Sequence, residues 1–201
     1  MTTLAAPVTQ RMILRGIRWH TYRQLAADLG EAPVRLAYDR GTLEVMTPSF
    51  EHERINRLLS DMVQAIAFGK DLPIEHAGST DFNREDVDRG FQPDSCFYFG
   101  DRVNAIQGKQ RLGVSIDPPP DLVLEIDVTN RSLNKLPLYA AIGVPEVWRF
   151  DGGDLVVYCL RDGVYEVSDA SDVLEGVRVD DLRHFMQLSY EISRKALFFR
   201  S

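Results

Sequence analysis

Two acids, Glu125 and Asp127, interrupt the otherwise apolar run Leu122-Val123-Leu124-Glu125-Ile126-Asp127-Val128, which follows Pro118-Pro119-Pro120-Asp121. In an extended strand residues 123, 125 and 127 share one side, and 122, 124, 126 and 128 share the other, which is purely apolar. Two carboxylates one pleat apart repel unless a cation lies between them, and hard oxygen ligands of this kind suit Mg²⁺ or Mn²⁺. A third acid, Asp94, opens the aromatic run Pro93-Asp94-Ser95-Cys96-Phe97-Tyr98-Phe99. Proline is tolerated at the first position of a strand because no ladder donor is lost there. Asp94, Glu125 and Asp127 could then converge from two strands on one metal ion. The plainer alternative is that carboxylates at a strand end face solvent or pair with a nearby arginine, such as Arg131 or Arg149.

The elements that must position these acids are legible to different degrees. Thr21 to Leu29 reads as a helix with Thr21 as N-cap and Gly30 past its end. Val34 to Tyr38 and Thr42 to Met46 form a hairpin through Asp39-Arg40-Gly41. Phe50 to Phe68 is the clearest helix, with Ile55, Leu58, Leu59, Met62, Val63 and Ile66 on one face. Glu51 and Glu53 favour its N-terminal dipole and Gly69 stops it. Strands follow near Ile74 to Ala77, Thr80 to Asn83 and Cys96 to Phe99, with a charged turn from Arg84 to Gly90, and Gly100 to Pro120 reads mostly as loop. After the acidic strand a short helix ends at Gly143, with Asn134 as N-cap, Lys135 first inside and Pro137 in its first turn. A meander of Glu146 to Phe150, Leu155 to Leu160 and Val164 to Val167 precedes a terminal helix from about Asp181 to Phe198. This order predicts an α+β or α/β domain around one mixed sheet.

The 201 residues fit a single domain, with residues 1–12 as a flexible tail. The net charge of -7, from 30 acidic and 23 basic residues, argues against a broad basic surface for nucleic acid. Any such contact is a local patch, for which Arg84, Arg89, Arg102, Lys109, Arg111 and Arg131 are the candidates. Cys96 and Cys159 each sit in an apolar run, as expected of free thiols in a reducing compartment. His20, His52, His76 and His184 are too scattered for a zinc motif. With neither a leader pattern at the start nor an apolar run near the ~20 residues of a membrane span, the expected location is the cytoplasm, without membrane contact.

An ordered set of segments carries a resemblance. It comprises Glu44-Val45-Met46-Thr47-Pro48-Ser49-Phe50-Glu51-His52-Glu53, Pro93-Asp94, Pro119-Pro120-Asp121-Leu122-Val123-Leu124-Glu125, and Lys135 with Tyr139-Ala140-Ala141-Ile142-Gly143-Val144-Pro145-Glu146-Val147-Trp148. Over about residues 15 to 195 the chain resembles the Uma-two family of restriction-endonuclease-like proteins with the PD-(D/E)XK nuclease fold. The resemblance implies a mixed central sheet flanked by helices, DNA phosphodiester hydrolysis dependent on Mg²⁺ (or Mn²⁺), and a homodimer. It also implies that Asp94 and Glu125 ligate the metal. Such nucleases usually carry a lysine two residues after that glutamate, where this chain has Asp127. Lys135, four positions before Tyr139, resembles a migrated version of the missing lysine. His52 or Glu53 matches a family position early in the long helix that could orient water or a second metal. Asp127 stays open as a substitute ligand, a charge partner of Lys135 or a solvated acid. The expected function is a metal-dependent DNA endonuclease, and the alternative is a non-catalytic dimer of the same fold that binds DNA or protein.

Overall fold

The computed structural model describes residues 9–30, 32–110, 112–113, 116–127, 133–192 and 197. Strand β1 (Gln10–Arg15) and helix α1 (Trp19–Leu29) lead into the hairpin of β2 (Arg35–Asp39) and β3 (Thr42–Thr47), followed by the long helix α2 (Phe50–Gly69). Next come β4 (Ile74–Gly78), β5 (Phe82–Arg84), β6 (Arg89–Phe91), β7 (Ser95–Phe99) and a short helix, α3 (Asp101–Ile106). Strand β8 (Leu122–Asp127), helix α4 (Leu136–Ile142), β9 (Glu146–Asp151), β10 (Asp154–Arg161), β11 (Val164–Ser168) and α5 (Val179–Glu191) complete the order.

The expected mixed sheet has the order β11-β10-β9-β8-β7-β4. Its β8 and β9 run parallel while the remaining neighbours are antiparallel. A parallel pair cannot be closed by a tight turn, and α4 supplies the crossover. One sheet is not the whole architecture, however. A second, antiparallel sheet has the order β1-β3-β2-β6-β5. The hairpin needs this separate layer because both of its faces are buried. Leu36, Tyr38 and Leu43 pack with Tyr22 of α1, whereas Ala37 joins Val123 and Val147 of the mixed sheet.

Strand β8 is the hinge between two cores. Leu122, Leu124 and Ile126 pack with Ile55, Leu59 and Val63 of α2, and the same core extends to Leu182 and Met186 of α5. Val123 faces the other way, toward Leu138 and Tyr139 of α4 and toward Phe82 and Phe91 of the second sheet. The two-residue alternation of this strand is therefore realised, and Glu125 and Asp127 share the side of Val123.

Several boundaries depart from the sequence expectation. Residues 10–12, expected in a tail, belong to β1, which pairs with β3 from Gln10↔Thr47 to Arg15↔Thr42. Helix α1 begins at Trp19 rather than at a Thr21 cap. Trp19 lies 5.3 Å from Tyr22 and 5.6 Å from Tyr38 between ring centroids, and this aromatic packing draws it into the first turn. The charged turn from Arg84 to Gly90 holds the ends of a β5–β6 hairpin, drawn together by Phe82 opposite Phe91. The expected loop contains α3, whose Ile106 is buried. In α4, Lys135 occupies the N-cap and the Asn134 side chain accepts from the Leu136 amide at 3.2 Å. Helix α5 runs from Val179 to Glu191, and Ile192 leaves it in extended conformation. Val128, Arg111, Arg131 and most of the expected continuation toward Phe198 lie outside the described residues. Among the described residues no helix is long and apolar enough to cross a membrane.

Candidate active site

Asp94 stands just before β7, and its Oδ2 accepts from the Ile126 amide of β8 at 2.8 Å. That bond locks the acid against the neighbouring strand. His52 Nε2 approaches the same oxygen at 3.2 Å from the first turn of α2. The turn is set by Ser49, whose side chain accepts from the His52 amide at 3.2 Å. Asn56, one turn further along, donates to the Asp94 carbonyl at 3.1 Å and accepts from the Ser95 hydroxyl at 2.9 Å. Asp94 Oδ1 is buried without a hydrogen-bond partner. Burial works to raise the Asp94 carboxyl, but His52, Lys135 and the Ile126 amide outweigh it and hold the group below its ordinary range.

Glu125 is buried in the middle of β8. Lys135 Nζ donates to its Oε2 at 2.7 Å, and the Tyr139 hydroxyl donates to its Oε1. Lys135 and Tyr139 are four residues apart, so the beginning and the middle of α4 converge on one carboxylate. Burial pushes the Glu125 carboxyl up to about 7, with Asp94 adding to the rise and Lys135 and Tyr139 opposing it. Burial would depress the Lys135 ammonium, yet Glu125, Asp94 and Glu44 together raise it. The result is a permanently charged lysine enclosed by acids.

Asp127 is engaged differently. Arg11 Nη2 lies 2.7 Å from its Oδ1, and Arg149 Nε and Nη2 lie 2.9 and 2.8 Å from its Oδ2. The three acids are therefore not gathered round one point. Among the described residues no group of three or more His, Cys, Asp or Glu side chains is disposed to hold a metal ion. What does come together is Asp94, Glu125, Lys135 and His52, with Asp127 in an arginine clamp on the same sheet face. Glu125, Asp127, Lys135, Tyr139 and Arg149 line a cavity of about 20 Å³. Glu53 is half-exposed and lies with Asp94, Asn56 and Arg35 along a separate polar groove of about 380 Å³.

The expected basic patch is largely neutralised. Arg84 pairs with Asp86, Arg89 with Asp39, Arg102 with Asp121 and Lys109 with Asp117. Sequence reasoning missed Tyr139 as a partner of Glu125, although Lys135 and Tyr139 at helical spacing were a usable signal. It also missed Arg11 and Glu44. Glu44 lies opposite Ala37 in the β2–β3 ladder, on the face turned to the mixed sheet, and accepts from the Leu133 amide at 2.7 Å. No local pattern announces either residue, because their role depends on how the second sheet lies over the first.

The protein is thus a mixed sheet with a long helix on one face and a buried Asp, Glu and Lys at its centre. The same fold is seen in a solved structure from Anabaena variabilis ATCC 29413 described as "a putative nuclease belonging to DUF820", with a TM-score of 0.58. The two share 16% sequence identity over 84% of this chain and 98% of that chain. No curated protein sequence matches the chain. Residues 19–190 match the model of the Uma2 family, described as "Putative restriction endonuclease", and the chain belongs to that family.

Proposed function

We propose that this protein is a metal-dependent DNA endonuclease, acting as a homodimer, that hydrolyses phosphodiester bonds with Mg²⁺ or Mn²⁺. The observation that carries the proposal is the buried Lys135–Glu125 pair next to Asp94, whose Oδ1 has no partner. Orphaned buried carboxylate oxygens are costly, and a hard cation satisfies them. Two carboxylates suffice for Mg²⁺, which keeps several waters and takes substrate phosphate oxygens in its remaining positions. Asp94 and Glu125 are thus the fitting ligands, since each Glu125 oxygen retains lone-pair capacity beside its present donor. The bound ion would polarise the phosphate and lower the pKa of a bound water.

This chain's own residues do the rest. Lys135 holds a positive charge next to Glu125 and would offset the negative charge that builds on a phosphate bound there as the water oxygen bonds to phosphorus and the P–O bond to the leaving strand breaks. Tyr139 fixes the second Glu125 oxygen and the Ile126 amide fixes Asp94, with His52 Nε2 3.2 Å from the same Asp94 oxygen. The test is calorimetric titration of Mn²⁺ into wild type and Glu125→Ala, followed by supercoiled-plasmid nicking. Binding and nicking in wild type, both lost in Glu125→Ala, are expected.

A second function draws support from one observation. Both Glu125 oxygens already have protein donors, so Lys135 could serve as an internal counter-ion in a non-catalytic DNA- or protein-binding member of the family. Absence of Mn²⁺ binding in wild type would favour it.

A further inference from the structure

Arg11 and Arg149 reach Asp127 from two different sheets. Arg11 stands on β1 of the second sheet, and besides its contact with Asp127 its Nη2 donates to the Ile126 carbonyl at 3.4 Å. Arg149 stands on β9, in parallel register with Glu125 of the neighbouring strand. Asp127 Oδ1 faces one guanidinium and Oδ2 the other, so the carboxylate is a clamp that sets the orientation of both.

The two arginines of the clamp differ in exposure. The Arg11 side chain is 7% exposed, yet its Nε and Nη1 lack a hydrogen-bond acceptor. Glu44 Oε1, at 3.7 Å from Nη1, is too distant to be one. Arg11 is thus held through its Nη2 alone, by Asp127 and the Ile126 carbonyl, and braces the carboxylate from the second sheet. Arg149, by contrast, is 24% exposed, with Asp151 a further 3.8 Å from its Nη2. It forms part of the wall of the small cavity that also contains Glu125 and Lys135. At about 20 Å³ that cavity holds a water rather than a phosphate. A phosphate is too large to enter it, so it could reach the partly exposed Arg149 only from outside the cavity.

We propose that Arg149 binds a backbone phosphate of DNA next to the scissile bond, and that Asp127, braced by Arg11, is the residue that positions it. This rests on the nuclease function proposed above and adds a substrate contact to it. Asp127 then takes no part in holding metal. It occupies the strand position usual for a lysine and organises two cations there instead.

The test is binding of a fluorescein-labelled DNA duplex, in Ca²⁺ in place of Mg²⁺, over a salt series. Wild type is compared with Arg149→Met and with the double variant Arg149→Met/Asp127→Asn, which removes the carboxylate that would otherwise lose half its pairing. Loss of one charge-assisted contact should weaken binding roughly tenfold. The log–log salt dependence should become shallower by about 0.9, the share of one phosphate. Mn²⁺ affinity should not change. Unchanged affinity, or weaker binding with an unchanged salt slope, overturns the assignment, the latter because it marks a purely structural loss. If wild type nicks plasmid while Arg149→Met binds DNA like wild type, this contact alone is wrong. If wild type neither nicks nor binds DNA, the nuclease function falls and the contact falls with it.

Discussion

Lys135→Met isolates the electrostatics of the site. The substitution keeps most of the side-chain volume and removes the ammonium that lies 2.7 Å from Glu125 Oε2. Glu125 then retains the Tyr139 hydroxyl alone, in a buried setting with Asp94 close enough to raise it further. Removing one partner of a buried ion pair costs about 3–5 kcal/mol when the remaining group stays charged. Glu125 can avoid part of that cost by taking up a proton. Its carboxyl lies at about 7 even with Lys135 opposing the rise, so without Lys135 it must climb higher.

The sign follows from linkage. An acid whose folded-state pKa is raised stabilises the fold most below its unfolded pKa and loses that contribution as pH rises through the folded value. The variant therefore holds a proton above pH 7 that wild type has released, and the gap between them widens with pH. Each pH unit over which the variant stays protonated adds about 1.4 kcal/mol, so the gap should grow by up to about 2.7 kcal/mol between pH 7 and 9. Urea unfolding of both proteins in EDTA at pH 5.5, 7 and 9 measures it. A stability difference that is flat or shrinks with pH would refute the view that Glu125 and Lys135 depend on each other's charge.

Two further outcomes follow from the same geometry. Mn²⁺ affinity should fall as pH drops through about 7, because burial holds the proton on Glu125 and the cation must displace it; calorimetry in buffers of different ionisation enthalpy would register the released proton, and pH-independent affinity would remove Glu125 as a ligand. Asp127→Lys, which restores the lysine position usual in such nucleases, should lower stability by several kcal/mol and not enhance nicking, since the new ammonium would face Arg11 and Arg149 without their carboxylate; a thermal melt at or above wild type would contradict the clamp.

Much of the site could be read from local sequence because it depends on short-range rules. The period of two in β8 assigned Glu125 and Asp127 to one face, and the apolar face opposite them is the one that meets α2. The spacing of Ile55, Leu59 and Val63 declared α2, whereas Lys135 entered the candidate site only through the family resemblance. The two periodicities span a few residues and are fixed by backbone geometry whatever the rest of the chain does. Arg149, offered by the sequence as a partner of the strand-end acids, does pair with Asp127, but the other partners were decided by the tertiary structure. Asp94 meets the Ile126 amide 32 residues on, and Asp127 meets an arginine 116 positions earlier and another 22 positions later. The first residues of β1, Gln10 to Met12, read as tail until the second sheet gives them a neighbour, and only then does Arg11 lie beside Asp127. Pairing across sheets is set by how two apolar faces pack, a global minimum over many contacts, whereas the faces themselves are local. For that reason the chain announced which residues carry the charge, and the fold settled which charges face one another.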